Sequence, residues 1–252
     1  MPRKDSGQRI GTGSDDRRLV LLLATRSGAG VVETAAALSI LAPQLHQRAE
    51  ASGLELRVGC QLPDDPLALA AKGMGRTMTP VSALLQVTGP PQTPDDALVE
   101  VVESVAADLR DTFDLAISAA ALGAVRRITT GPTGPVVLAV GTRKLATLSE
   151  EQFCTYWAET HAPLALSMMP AGAARKIGYE QLHAGGAASR RAAAAAGVGV
   201  GDLAGVLQVF CRDPVDFLAF AAEPGFAARI YADEKNFADQ SLMRGGFIRL
   251  DD

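Results

Sequence analysis

At 252 residues with 48% hydrophobic side chains, the chain can form one large domain or two of ordinary size. Aromatics supply only 5%, so the core is built mainly from Leu, Val, Ile and Ala. A net charge of -4 with scattered Lys and Arg argues against a nucleic-acid partner, and no apolar run approaches the roughly 20 residues that span a bilayer. Cys60, Cys154 and Cys211 are odd in number and lack CxxC spacing, which argues against a disulfide framework and a zinc site.

Residues 1–18 are polar and rich in Gly, Asp and Arg. They are expected to form a disordered arm, and with no secretory signal visible the expected location is the cytoplasm. Leu19 to Thr25 is a continuous apolar run, expected as a buried strand, and Val32 to Ala51 follows a helical pattern. Leu54 to Leu62 alternates as a strand does, and Val81 to Thr88 is a third strand. Thr93-Pro94-Asp95-Asp96 starts a helix running to about Arg110, with a capping hydroxyl before the proline. Leu115 to Ala121 completes the order β-α-β-β-α-β.

The turn-rich segment Thr130 to Pro135 precedes a second run of the same order. Val136 to Thr142 is a strand, and Ser149 opens a helix with Glu150 and Glu151 at its positive end. Lys176 to Leu182 is a strand, and Ala184 to Gly201 is an Ala/Gly linker with a run capable of helix. Leu203 to Phe210, Pro214 to Ala222 and Phe247 to Leu250 follow as strand, helix and strand. Local matches reinforce the repeat. Ala83-Leu84-Leu85-Gln86-Val87 corresponds to Gly205-Val206-Leu207-Gln208-Val209, Pro94-x-Asp96-x-Leu98 to Pro214-x-Asp216-x-Leu218, and Ala24-Thr25-Arg26 to Gly141-Thr142-Arg143. The domains expected are therefore 19–130 and 131–252, each a ferredoxin-like βαββαβ unit in an α+β chain.

One segment imitates a nucleotide-binding loop. Ser27-Gly28-Ala29-Gly30 follows a strand and precedes a helix, but Val31-Val32-Glu33-Thr34 stands where a Walker loop needs Gly-Lys-Ser/Thr. Glu33 would repel a phosphate at the helix N-terminus, so the segment is expected to be a plain turn.

The stretch from Phe153 to Pro163 is more informative. Phe153, Tyr156, Trp157 and His161 follow helical spacing, and Pro163 places His161 near a kink or helix end. This brings the only Trp beside one of three His. On composition alone, an aromatic packing cluster capped by His161 is the simpler reading.

Arg143-Lys144, Leu148-Ser149-Glu150-Glu151-x-Phe153, Tyr156-Trp157 and His161-x-Pro163 resemble the opening motif of EthD-domain proteins. Ala232-Asp233-Glu234-x-x-Phe237-x-Asp239 is similar to that family's ending. The resemblance covers residues 135–252. The first half lacks the Trp and the terminal Asp-Glu motif, although His46 in Ala42-x-x-x-His46 matches His161 once two residues are inserted upstream.

The resemblance implies a dimeric α/β barrel, two four-stranded sheets facing each other around a central cavity, here with both sheets from one chain as an intrachain pseudo-dimer. A further homodimer is left open. It implies a cofactor-independent lyase or isomerase acting by dehydration, cyclisation or retro-aldol proton transfer on a hydrophobic, aromatic or polycyclic substrate, with no metal. A cofactor-free monooxygenase of phenols and a non-catalytic small-molecule binding protein are the alternatives. His161 is the expected general acid/base, since imidazole titrates near neutrality. Tyr179 and His183 share one strand face and are a second proton-exchanging candidate pair. Trp157, Tyr156 and His46 are candidate substrate contacts, as are Arg143 and Arg26 at corresponding strand ends, where solvated charges are the simpler expectation. Asp233, Glu234 and Asp239 are expected to be structural, and Met168-Met169 to pack in the core.

Overall fold

The computed structural model describes residues 15–26, 30–67, 78–221 and 223–251. Most of the expected N-terminal arm and the Ser27, Gly28 and Ala29 segment lie outside the described residues. The first half runs β1 (Arg17–Leu23), α1 (Val31–Ala51), β2 (Glu55–Gln61), a two-residue β3 (Thr79–Pro80), β4 (Ala83–Gly89), α2 (Asp95–Glu103), α3 (Ala106–Thr112) and β5 (Ala119–Arg127). The second half begins with β6 (Val136–Lys144), α4 (Glu150–Tyr156), a π-helical turn (Trp157–His161) and α5 (Ala162–Met168). A 3-10 turn (Ala173–Arg175), β7 (Gly178–Ala184), α6 (Gly186–Ala196), β8 (Gly205–Cys211), α7 (Pro214–Ala221), α8 (Pro224–Glu234) and β9 (Ala238–Leu250) complete it.

Eight strands pair in the order β2-β4-β1-β5-β7-β8-β6-β9, all antiparallel, and β9 pairs back onto β2. The sheet therefore closes into a barrel, and closure removes the free edges. Within the closed order, β2-β4-β1-β5 are neighbours and so are β7-β8-β6-β9.

Strand alternation decides which side chains enter the barrel. In β1, Leu19, Leu21 and Leu23 face the helices, whereas Val20 and Leu22 face inward. The inward set includes Leu84, Val137, Val206 and Ile248 and contains no helical residue. These side chains are fully buried and fill the interior. The expected central cavity is thus corrected: the lumen is a packed core, as befits a barrel of only eight strands.

One end of that core is polar. Arg18 Nη1 donates to Glu180 Oε2 and to Gln208 Oε1, both at 2.6 Å, and Gln208 Nε2 donates to Gln86 Oε1 at 2.7 Å. This network carries β1 two residues further back than its apolar run suggested, so Arg17 and Arg18 belong to the barrel and not to an arm.

Other boundaries shift for local reasons. The strand expected at Leu115 to Ala121 begins only at Ala119, because Asp114 accepts from Ala116 N at 3.1 Å and Ser118 Oγ returns to Asp114 O at 2.7 Å, forming a turn. Pro94, not Thr93, occupies the N-cap of α2, and no side chain caps it. The expected linker holds α6, whose Ala192, Ala193 and Ala196 join the core between the first-half sheet and its helices. The last strand is 13 residues long, because β9 tracks β6 past a bulge between Gly141 and Arg143. Helix α8 had no counterpart in the expected elements. Glu33 accepts from Gly30 N at 2.9 Å, so a carboxylate occupies the N-terminal turn of α1.

Among the described residues no helix is long and apolar enough to cross a membrane. Cys60, Cys154 and Cys211 are free thiols.

Candidate functional site

Ser149 accepts from Gln152 N at 3.1 Å while Gln152 Oε1 accepts from Ser149 N at 2.8 Å, a reciprocal cap that fixes the start of α4. Of the two expectations for His161, a kink or a helix end, the structure shows an irregularity within a continuing helix. Proline offers no N–H to the carbonyl of Glu159, and the chain widens into a π turn that carries it into α5. Within that turn Trp157 O accepts from Ala162 N and also from Gln181 Nε2 at 3.1 Å.

The π turn points Trp157 and His161 at the outer face of the second-half sheet. Trp157 stacks on His183 with ring centroids 5.3 Å apart and an interplanar angle of 16°. Gly205 makes room for it, since a Cβ there would lie 2.3 Å from Trp157 Cζ3. His161 tilts against Phe237 at 5.0 Å, and Phe237 stacks on Tyr156 at 5.4 Å.

Helix α8 brings Asp233 to this cluster. Asp233 Oδ2 lies 2.7 Å from His161 Nδ1, and Asp233 Oδ1 accepts from Tyr156 OH at 2.8 Å. Asn236 Nδ2 donates to the same phenol oxygen at 3.2 Å. A carboxylate only accepts, so Nδ1 carries the proton and Nε2 keeps its lone pair in the neutral ring. Among the described residues no protein group hydrogen-bonds Nε2, and His161 lines a small cavity of about 30 Å³. Val140, Leu207, Phe237 and Met243 form its apolar walls, with Thr142 and Glu234 as the further polar residues. Burial and the bond to Asp233 push the Tyr156 phenol above its usual range, so it stays a donor at neutral pH.

Tyr179, Gln181 and His183 face this helix layer from β7. Gln181 Nε2 also donates to Tyr179 OH at 2.8 Å, leaving Gln181 Oε1 to accept from His183 Nε2 at 3.0 Å. Burial, followed by the charge of Arg126, pushes His183 down to about 4, so it is neutral at pH 7. Burial likewise drives the Tyr179 phenol far up. The pair does share one face, but that face meets the helices and not the barrel lumen.

The remaining candidates are dispersed. His46 is exposed on the outer face of α1, and the structure does not bring it to His161. Arg26 is exposed and donates to Arg110 O. Arg143 pairs with Asp202 at 2.6 Å. Asp233 was visible as part of the tail motif but assigned a structural role, and Gln181 had no signal at all.

The architecture is that of the dimeric α/β-barrel proteins. A putative chlorite dismutase matches at a TM-score of 0.52 and 13% identity, over 95% of this chain and 96% of that one. A putative DyP-type peroxidase from Shewanella oneidensis matches at 0.55 and 9%, over 94% and 93%. A variant of Rhodococcus jostii DypB in complex with heme matches at 0.54 and 12%, over 96% and 95%. At such identities the likeness establishes the fold alone. Residues 145–241 match the EthD domain model, and that match does not reach the first half. No curated protein matches the sequence.

Proposed function

We propose that the chain is a cofactor-independent enzyme that moves a proton on a hydrophobic, aromatic or polycyclic carbonyl or hydroxyl compound, as a lyase or isomerase. The supporting observation is the dyad of His161 and Asp233 beside a mostly apolar cavity, with no protein hydrogen bond to Nε2 among the described residues. In this reading Nε2 takes a proton from the substrate. Asp233 holds the productive tautomer and stabilises the imidazolium that forms, and Tyr156 holds Asp233. Trp157 and Phe237 supply aromatic walls. At about 30 Å³ the cavity has room for little more than a water, so the reading requires Met243 and α8 to give way as substrate enters.

We also infer that residues 19–130 and 131–252 are tandem ferredoxin-like units. In support, each half places its four barrel strands in the same permutation and has helices after its first and third barrel strands, although β3 is added in the first half and α6 lies between β7 and β8 in the second. Gln86 and Gln208, which match in the sequence alignment of the halves, meet each other in the lumen. The dyad belongs to the second unit only.

The heme held by the Rhodococcus jostii protein does not carry over. A carboxylate-backed His161 has the character of an axial ligand, but a porphyrin is several times larger than a two- or three-ring substrate, and Trp157, Phe237 and Met243 all close on the cavity that would have to hold it. No step here is routed through heme.

Deuterium exchange α to the carbonyl of 2-tetralone in D2O, followed by NMR, tests the proposal. Exchange above the buffer rate that vanishes in His161→Ala supports it. Binding without exchange would favour a binding protein, and oxygen uptake with a phenol would favour the monooxygenase alternative.

A further inference from the structure

A separate cleft of about 600 Å³ lies at the junction of the two halves, a size typical of small-molecule sites. Its floor is the segment Pro132 to Pro135, which links β5 to β6. Two glycines press that segment against the strands. A Cβ on Gly131 would lie 1.9 Å from Ile177 O, and one on Gly134 would lie 2.0 Å from Cys211 O. Thr129 Oγ1 adds a bond to Ile177 O at 2.8 Å, and Arg57 reaches Gly134 O at 3.4 Å.

This close packing has a chemical consequence. Arg175 and Lys176 immediately precede Ile177, and Arg212 immediately follows Cys211. The pinned loop is therefore flanked by cations on both sides, and all three line the cleft. Among the described residues none of the three forms an ion pair. Among the described residues Asp216 is the one carboxylate lining the cleft, and neighbouring Asp213 caps Val215 N at 2.9 Å. The lining thus holds three positive charges against one negative charge.

We propose that this cleft binds a small molecule bearing a phosphate ester, with the guanidinium groups of Arg175 and Arg212 gripping the phosphate from opposite sides and Lys176 adding a point charge. The site is distinct from the His161 cavity. Strand β6 begins beside the cleft at Val136 and first reaches that cavity at Val140, a span of roughly 13 Å. Its preformed, rigid floor lowers the ordering cost of binding.

Calorimetric titration of the full chain with pyrophosphate and with phenyl phosphate at low ionic strength tests this, with citrate as the carboxylate comparison. Saturable binding of both phosphates is expected, weakened at least about tenfold in the Arg175→Ala/Arg212→Ala double variant and unchanged in His161→Ala. Both arginines are exposed, so an unchanged melting temperature certifies the variant's fold. Absence of saturable phosphate binding, equal affinity in the double variant, or citrate binding as tightly as pyrophosphate would each overturn the assignment.

Discussion

The carboxylate of Asp233 sits 2.7 Å from Nδ1 of His161, across 72 residues of chain, and its second oxygen is held by Tyr156. This contact joins the two blocks of the EthD-like pattern, which lie on different helices. It also turns the aromatic cluster from a packing device into an arrangement able to accept a proton.

If His161 handles that proton, His161→Ala leaves folding nearly intact and lowers turnover by at least about a hundredfold. Asp233→Asn keeps the shape but offers an amide in place of the carboxylate, so it too lowers turnover while affecting KM less. Steady-state kinetics with a substrate that passes the exchange test decide it. Full turnover in His161→Ala would end the assignment.

His183 is expected to stay neutral where His161 works. Its folded pKa of about 4 lies below the unfolded value of 6.5. Between those values the unfolded chain binds the proton and the folded chain does not, so stability falls as pH drops from about 6.5 toward 4, by about 3 kcal/mol at most. NMR titration of the His183 ring should show no protonation at pH 6. A midpoint near 6.5 would contradict the buried, Trp-stacked placement.

Gly205→Ala drives a methyl into Trp157, whose Cζ3 would lie 2.3 Å away, and into Leu182 O at 2.8 Å. A cost of about 1–3 kcal/mol is expected. Because Trp157 is the only tryptophan, its fluorescence reports the displacement directly. An unchanged spectrum and melting temperature would show that the indole has room to move.

Glu180 is 2% exposed and Arg18 5%. Burial raises the Glu180 carboxyl, but Arg18 and Arg127 outweigh it and hold the net value below the usual range. The resulting stability is present above the unfolded carboxylate pKa and is lost as pH falls through the folded one. Removing the carboxylate in Glu180→Ala strands a buried guanidinium and should cost about 3–5 kcal/mol at pH 7. The double variant Arg18→Met/Glu180→Met should recover most of that loss in denaturant unfolding. If the single variant costs no more than the double, the pair is not coupled.

Much of the chain was legible from its pattern. The apolar run at Leu19, the alternation from Leu54 and the Ser149 helix start each reflect forces acting within a few residues, and both Leu-Gln-Val segments lie in strands, β4 and β8. The helical spacing of Tyr156, Trp157 and His161 placed the cluster correctly. Helix α6 was seen only as an alanine run, because its apolar face is made of methyl groups too small to signal burial until the first-half sheet lies beneath them.

Local alternation and turn chemistry were enough for the order of the eight barrel strands and for which side chains share a face. They left open what each face meets. Whether the inward residues of β1 line a void or a solid core depends on closure of β9 onto β2, nearly 200 residues apart in the chain. The same holds for Arg18, which reads as a solvated charge until Glu180 and Gln208 arrive across the lumen, and for Asp233, which reads as a helix charge until α8 packs against the π turn. A hydrogen-bond partner is chosen by position in space, and a pattern of period two or 3.6 records only direction from the local axis.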